Sequence, residues 1–366
     1  MPPTIPPLLS PSELSYLHTS LSLTPPIRPD ARSPTSFRPL VAETDLLPAA
    51  NGSARLCFAD GTEAIVGVKG EVEKTTNTTT TGGRSGGKGG GKGGGIDVID
   101  MDVDEVEEVG SGGEGRWIEV SVDMPGQRDD DAMVVFLGEM IHEGLVADQF
   151  LQNRLVINNR WHWRLYIDIL LLSPPLTYPL PLLSLTTHLA LLSTHLPAPV
   201  QGLEKDDDPL FNDDWDAAVP LYPPSTPTNP PNPTSNTNSN KKPTTARPPI
   251  TLLVISIGSN IFFDPSHAEL AVADSVVAVT IASSSSSSSN EAEDLSLLAV
   301  RTIDPPSRLS SSSSTTDADA GREEEEGVWK AKKGGVRRDV LGRMIGMCTE
   351  RGGVGAEVLS GLEGFT

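Results

Sequence analysis

The chain has 366 residues, among them 34 Gly and 32 Pro, and a formal net charge of −21. So acidic a balance opposes nucleic-acid binding by bulk charge, because phosphate contacts need Lys and Arg. Two cysteines, Cys57 and Cys348, exclude a disulfide framework and a cysteine-built zinc site.

Four stretches, 74–115, 204–249, 282–294 and 308–327, are dominated by Gly, Ser, Thr, Asn, Pro or acid, with too little apolar surface to offset the entropy of ordering. These disordered, low-complexity inserts take up roughly a third of the chain and leave ordered sequence for one two-lobed unit. They also hold much of the acid, in Asp97 to Glu105 and Glu323 to Glu326, so the folded part is closer to charge balance. The opening Met1-Pro2-Pro3-Thr4-Ile5-Pro6-Pro7 lacks the cationic and apolar regions of a secretion signal. The most apolar stretch, Tyr166 to Leu196, is broken by Pro174, Pro175, Pro179 and Pro181 and reads as a strand and a buried helix. A soluble intracellular protein is expected. Asn51-Gly52-Ser53 then reads as turn chemistry and not as a glycan acceptor.

In chain order, Ser10-Pro11-Ser12-Glu13 has capping-box spacing, with Leu14, Leu17 and Leu21 at helical intervals behind it. After Pro25-Pro26 an extended run through Arg28-Pro29-Asp30-Ala31-Arg32 is expected. Ala54, Leu56 and Phe58 alternate with Ser53, Arg55 and Cys57, Asp60-Gly61 makes a hairpin turn, and Ala64 to Lys69 is the return strand. Ile118 to Asp123 alternates again after the first insert. Asp129-Asp130-Asp131 suits a helix N-terminus, and Met133, Leu137, Met140, Ile141 and Leu145 follow at helical spacing. Then come a strand at Leu155 to Ile157, a strand at Trp163 to Ile169 and a Leu-rich helix from about Leu180 to Leu196. Past the Pro/Asn/Thr linker, Ile250 to Ile257, Ile261 to Phe263, Ser275 to Ile281 and Leu295 to Ile303 read as strands of a second sheet. A final helix places Val340, Leu341, Met344, Ile345 and Cys348 on one face. The class is α+β, divided as lead-in 1–27, first domain 28–203, linker 204–249 and second domain 250–366.

At these residues a family resemblance appears. Arg28-Pro29-Asp30-Ala31-Arg32 with Arg38 and Glu43-Thr44-Asp45 resembles the opening of ribonuclease PH-like proteins, and Gly52-Ser53-Ala54-Arg55, Asp60-Gly61 and Val66-Gly67-Val68-Lys69 continue it in order. Trp163 to Leu170, Ile257-Gly258, and Phe263-Asp264-Pro265 with Glu269 are similar to ring subunits of the RNA exosome. The resemblance implies a ribonuclease PH-like fold (ribosomal protein S5 domain 2-like). It also implies a place in a six-membered ring whose channel threads single-stranded RNA for 3′-end processing and decay in nucleus, nucleolus and cytoplasm. The partners so implied are other ribonuclease PH-like subunits and RNA-binding cap subunits.

Active relatives are phosphorolytic exonucleases, whose chemistry needs cationic and backbone donors around phosphate and an acid or metal near the leaving oxygen. Where they carry a Gly-rich phosphate loop after the strand of Asp168, this chain has Ser173-Pro174-Pro175-Leu176-Thr177, and proline offers no N–H. The arginines of the preceding helix are replaced by residues such as Glu139, His142 and Glu143. Asp274 lies about where active relatives carry a catalytic aspartate and is the one feature for catalysis. A non-catalytic scaffold is expected, with an active phosphate-dependent exoribonuclease as the alternative. A disordered interaction hub, suggested by the inserts alone, leaves the ordered strand and helix series unexplained.

For RNA, the candidates are Arg55, Arg128 and Arg164, each weighed against an ordinary surface ion pair. His142, His162, His188 and His195 have no partners at ligand spacing, so no metal and no cofactor are expected. His142-Glu143 lacks the second His of a zinc protease helix. The Gly82 to Gly95 tract lacks the Gly-Lys-Ser/Thr ending of a phosphate loop and reads as a flexible linker. The Ser283 to Ser289 and Ser310 to Ser314 runs read as disordered tracts open to phosphorylation.

Overall fold

Ser10 closes the first turn of α1 (Pro11–Ser22): Glu13 N donates to its Oγ at 3.3 Å, and Ser10 N donates back to Glu13 Oε2 at 2.7 Å. That helix opens a computed structural model that describes residues 9–75, 115–158, 160–200, 208–223, 246–284, 294–304 and 335–365. The Gly82 to Gly95 tract, both acidic runs, the Ser310 to Ser314 run and most of the Ser283 to Ser289 run lie outside the described residues.

The first lobe is a five-stranded sheet of β1 (Leu40–Thr44), β2 (Gly52–Phe58), β3 (Glu63–Lys74), β4 (Ile118–Asp123) and β5 (Trp161–Leu171), in the order β1-β2-β3-β5-β4. Only the β4–β5 pair is parallel. Gly61, at φ +83°, supplies the left-handed residue of the β2–β3 turn, the geometry for which the Asp-Gly pair is suited. The predicted alternation sorts faces as expected: Ala54, Leu56, Val66, Val68, Leu165, Ile167 and Ile169 point into the core. One face is covered by α2 (Ala132–Ala147), α3 (Gln149–Arg154) and α4 (Leu180–Ser193). Helix α4 is buried nearly all round because it lies between this sheet and the second one. Gly52 lets β2 approach the end of α4, since a Cβ there would meet the Thr194 backbone at 2.5 Å.

The second lobe is a four-stranded antiparallel sheet, β11-β10-β8-β9, of β8 (Ile250–Ile257), β9 (Asn260–Phe263), β10 (Ser275–Ser284) and β11 (Asp294–Ile303). Every residue of β8 is buried. Ile250, Leu252 and Val254 join the core shared with the first lobe, whereas Leu253, Ile255 and Ile257 face a separate cluster with Leu21 of α1 and Leu270 of α5 (His267–Ala271). A strand covered on both faces has no polar alternation, which is why it reads as one apolar run. The last helices, α6 (Arg338–Thr349) and α7 (Val354–Glu363), add Val340, Met344, Cys348 and Leu359 to the shared core.

Several local expectations are corrected. Arg28 to Arg32 is a turn and not an extended run: Ala31 N donates to Arg28 O at 3.1 Å and Ala31 has φ +59°, so that Arg28 and Arg32 reach neighbouring groups. Leu155 to Ile157 is no strand; Leu155 N still bonds Leu151 O of α3, and only Val156 bridges His162. The Leu-rich helix stops at Ser193, because Thr194 turns extended and His195–Leu196 pairs as β6 with β7 (Val219–Pro220). Segment 208–223, inside the expected linker, is anchored: Phe211 lies 5.0 Å from the Trp163 ring, and Tyr222 is buried with its OH donating to Asp148 Oδ2 at 2.9 Å. Strand β1 and helices α3, α5 and α7 were not foreseen.

Candidate functional site

The arginines of the opening motif gather where the two lobes meet. Arg28 and Glu269 are both fully buried at the side chain and form a bidentate pair, Nε to Oε1 at 2.7 Å and Nη2 to Oε2 at 2.8 Å. The same guanidinium donates to the carbonyls of Ser33 and Asp264, both at 3.1 Å. Glu269 is placed by the capping box of α5, in which Ser266 N donates to Glu269 Oε2 at 2.8 Å. Asp264, buried and in the left-handed region at φ +46°, takes Arg32 Nη1 at 2.8 Å and Arg38 Nη2 at 2.6 Å. Arg38 also pairs with Asp60, lies over the Phe58 ring at 4.5 Å, and donates to Thr177 Oγ1 at 3.3 Å. Burial opposes the charge of Arg38, but Asp264 and Asp60 outweigh it and hold its pKa above the ordinary arginine value. Burial likewise works against the Asp60 charge, yet bonds from Thr62 and Arg38 pull its carboxyl below the usual range.

Three guanidinium groups (Arg28, Arg32, Arg38) therefore meet four carboxylates (Asp30, Asp60, Asp264, Glu269), and the cluster holds no surplus cation for a phosphate. The Ser173 to Thr177 loop borders it through Thr177, and Ser173 Oγ accepts from Glu63 N at 2.9 Å. Pro174 and Pro175 put no backbone donor into this loop. Asp274 is elsewhere. Its Oδ2 accepts from Gly258 N at 2.8 Å at the β8–β9 turn, whereas Asp264 follows the far end of β9. Four residues of strand, about 13 Å, separate the two ends.

The three arginines proposed for RNA do not come together. Arg55 lies on β2, paired with Glu63 and, at 3.3 Å, with Glu43. Arg164 lies on β5 between Glu73 at 3.1 Å and Glu119 at 3.0 Å. Arg128, in the β4–α2 connection, is 81% exposed and meets Asp130 at 3.0 Å. Bonds from Glu63 raise the pKa of Arg55, and bonds from Glu73 and Glu119 raise that of Arg164. On Arg55 and Arg164 these are cross-strand pairs on the sheet face away from the helices.

The four histidines weighed as ligands sit on four elements: His142 on α2, His162 on β5, His188 on α4 and His195 on β6. His162 stacks on Trp117 at 4.1 Å. His188 is buried, with Nδ1 2.8 Å from Pro248 O, and burial pushes its pKa down to about 4, so the neutral ring donates there. Asp168 is joined by Ser121, whose Oγ donates at 2.6 Å.

The roles of Arg28, Arg32, Arg38, Asp264 and Glu269 were absent from the sequence reading, which had them only as motif letters. The available signal is the co-occurrence of an arginine-rich, proline-flanked N-terminal segment and a distant Asp-Pro-x-x-x-Glu run.

No protein-family profile matches the chain. In sequence it is 27% identical over 276 residues to the exosome complex component RRP42 of Saccharomyces cerevisiae, covering 74% of this chain and 81% of that protein. It is 48% identical over 69 residues to the exosome complex component rrp42 of Schizosaccharomyces pombe, covering 19% and 23%. Among solved structures, an archaeal exosome core aligns at 17% identity and a TM-score of 0.46, covering 80% of this chain and 84% of that one. The Archaeoglobus fulgidus exosome with RNA bound to the active site aligns at 17% identity and 0.46, covering 80% and 87%. The sequence matches agree with the resemblance to exosome ring subunits drawn from the motifs.

Proposed function

We propose that this chain, a relative of the exosome component RRP42, is a non-catalytic structural subunit of the RNA exosome ring. It supports 3′-to-5′ processing and decay, including ribosomal RNA maturation and the turnover of messenger and non-coding RNA. One observation carries the reading. At the lobe junction the arginines are all engaged by carboxylates, beside a loop in which Pro174 and Pro175 offer no N–H to an anion, and this supports a scaffold over a phosphate site. Asp274 lies at the β8–β9 turn, where its carboxylate accepts from Gly258 N at 2.8 Å.

The partners are other ribonuclease PH-like ring subunits and RNA-binding cap subunits, and single-stranded RNA passes through the assembled channel. The ring works in nucleus, nucleolus and cytoplasm. Arg55, Arg128 and Arg164 contribute at most one or two cations each to a grip shared among subunits, so the chain alone holds RNA weakly. The ribonuclease PH-like halves are residues 28–203 and 250–366.

Affinity purification of the tagged chain from its own cells tests this. An equimolar set of ribonuclease PH-like and cap subunits is expected. Recovery alone or as a homo-oligomer removes the reading. Phosphate-dependent release of nucleoside diphosphates from RNA by the purified chain, lost on Asp274→Ala, establishes the phosphorolytic alternative instead.

A further inference from the structure

Strand β4 closes one end of the five-stranded sheet, and among the described residues nothing pairs with its outer edge. The strand is six residues long, alternates regularly, and contains no Pro, Lys or bulge. Such features are how natural proteins blunt an open edge, and a regular row of unpaired N–H and C=O groups is a template for another strand. Residues of β4 and α2 line a groove of about 540 Å³. Val135 of α2 is 50% exposed, leaving an apolar side against which an added strand can rest.

The charge of the groove is one-sided. Glu119, Asp123, Asp129 and Glu139 line it, and neither Lys nor Arg does. His142 stands 4.0 Å from Glu139, and Glu119 is shared with Arg164. Among the described residues no ion pair neutralises Asp123 or Asp129. Like charges across paired strands repel, so this edge rejects a second copy of itself and any acidic strand, while opposite charges at the same positions attract.

We propose that the β4 edge takes up an extended basic segment of a partner protein as a sixth strand, with backbone bonds giving affinity and the acidic rim giving selectivity. This is independent of the ring assignment, since it rests on the edge, the groove and its charge.

The test uses the full chain and a fluorescent peptide of the length of β4 that alternates valine with lysine, followed by anisotropy. Saturable binding is expected, weakening about tenfold in the Asp123→Lys, Glu139→Lys variant, because two attractive pairs become repulsive. A peptide N-methylated at alternate backbone positions keeps its charge but cannot complete the ladder, and should not bind. Because that probe is used on the unaltered chain, a folding defect in the variant does not confuse the result. The proposal is overturned by equal binding of the N-methylated peptide, by equal binding of a valine–glutamate peptide, or by no saturable binding. Binding seen only after deletion of residues 76–114 assigns the edge to the chain's own segment and also overturns it.

Discussion

Arg28 and Arg128 make contact with carboxylates at similar distances, 2.7 Å and 3.0 Å, and look alike in sequence. They differ in what surrounds them. Arg28 is sealed between the lobes with Glu269, so removal of either partner strands a charge away from water. Arg128 waves in solvent beside Asp130, where water replaces the partner at almost no cost. Bond length therefore says little about the importance of an ion pair; the alternative open to each charge decides it.

Four experiments bear on this contrast. The largest effect is expected from Glu269→Ala, about 3–5 kcal/mol of stability lost in urea denaturation of the full chain, since buried Arg28 loses its bidentate partner and keeps only the distant Asp30 carboxylate and backbone carbonyls. If the loss were below that of an ordinary surface substitution, the junction would not be the sealed contact described. Next, His188 is buried with its pKa lowered to about 4. A depressed histidine pKa means that the folded state disfavours the proton. Its contribution is intact above the ordinary value of 6.5 and is lost as pH falls toward 4, by about 3 kcal/mol in all. His188→Gln should flatten the stability profile across that window while lowering it at neutral pH. A smaller effect belongs to Tyr222→Phe, which leaves the half-buried Asp148 carboxyl one donor short and costs about 1 kcal/mol. Burial already raises the Asp148 pKa, and losing the hydroxyl donor should raise it further, visible by carboxyl NMR titration. Smallest of all, Arg128→Ala should leave the urea midpoint unchanged; a clear drop would mean that exposure misjudges this pair.

Much of the architecture is legible in the sequence. The alternation of Trp163 to Ile169 and of Ile118 to Asp123 needs only the two-residue period of a strand half covered by helices. The capping box at Ser10 worked for a similar reason, because its chemistry is local. What escaped depends on distant groups. Leu40 to Thr44 becomes a strand because β2 offers it an edge, with Glu43 opposite Arg55. Helix α7 begins straight after Gly352-Gly353 and contains Gly355, whose absent side chain lets it approach Cys348 and Ile281, contacts that no local pattern announces. Tyr222 was hidden in a Pro-rich stretch, and only the Asp148 and Phe150 it meets make it core. For the candidate site the motif letters were found but their work was not, since nothing local distinguishes Arg38 from Arg55. One is enclosed by Asp264 from the other lobe, and the other faces its own sheet.

The Arg28–Glu269 contact joins positions 241 residues apart. On a ribosome adding about 5–20 residues each second, the arginine emerges roughly 12–50 s before its glutamate exists. During that interval the N-terminal segment is a loose end, with Leu21 lacking the β8 surface it is meant to cover. The first lobe can gather its own sheet early, but its lead-in can only be fastened once the second lobe is made. A chain truncated just before Glu269 would thus keep the whole of the first sheet's sequence and still lack the fastening of its lead-in.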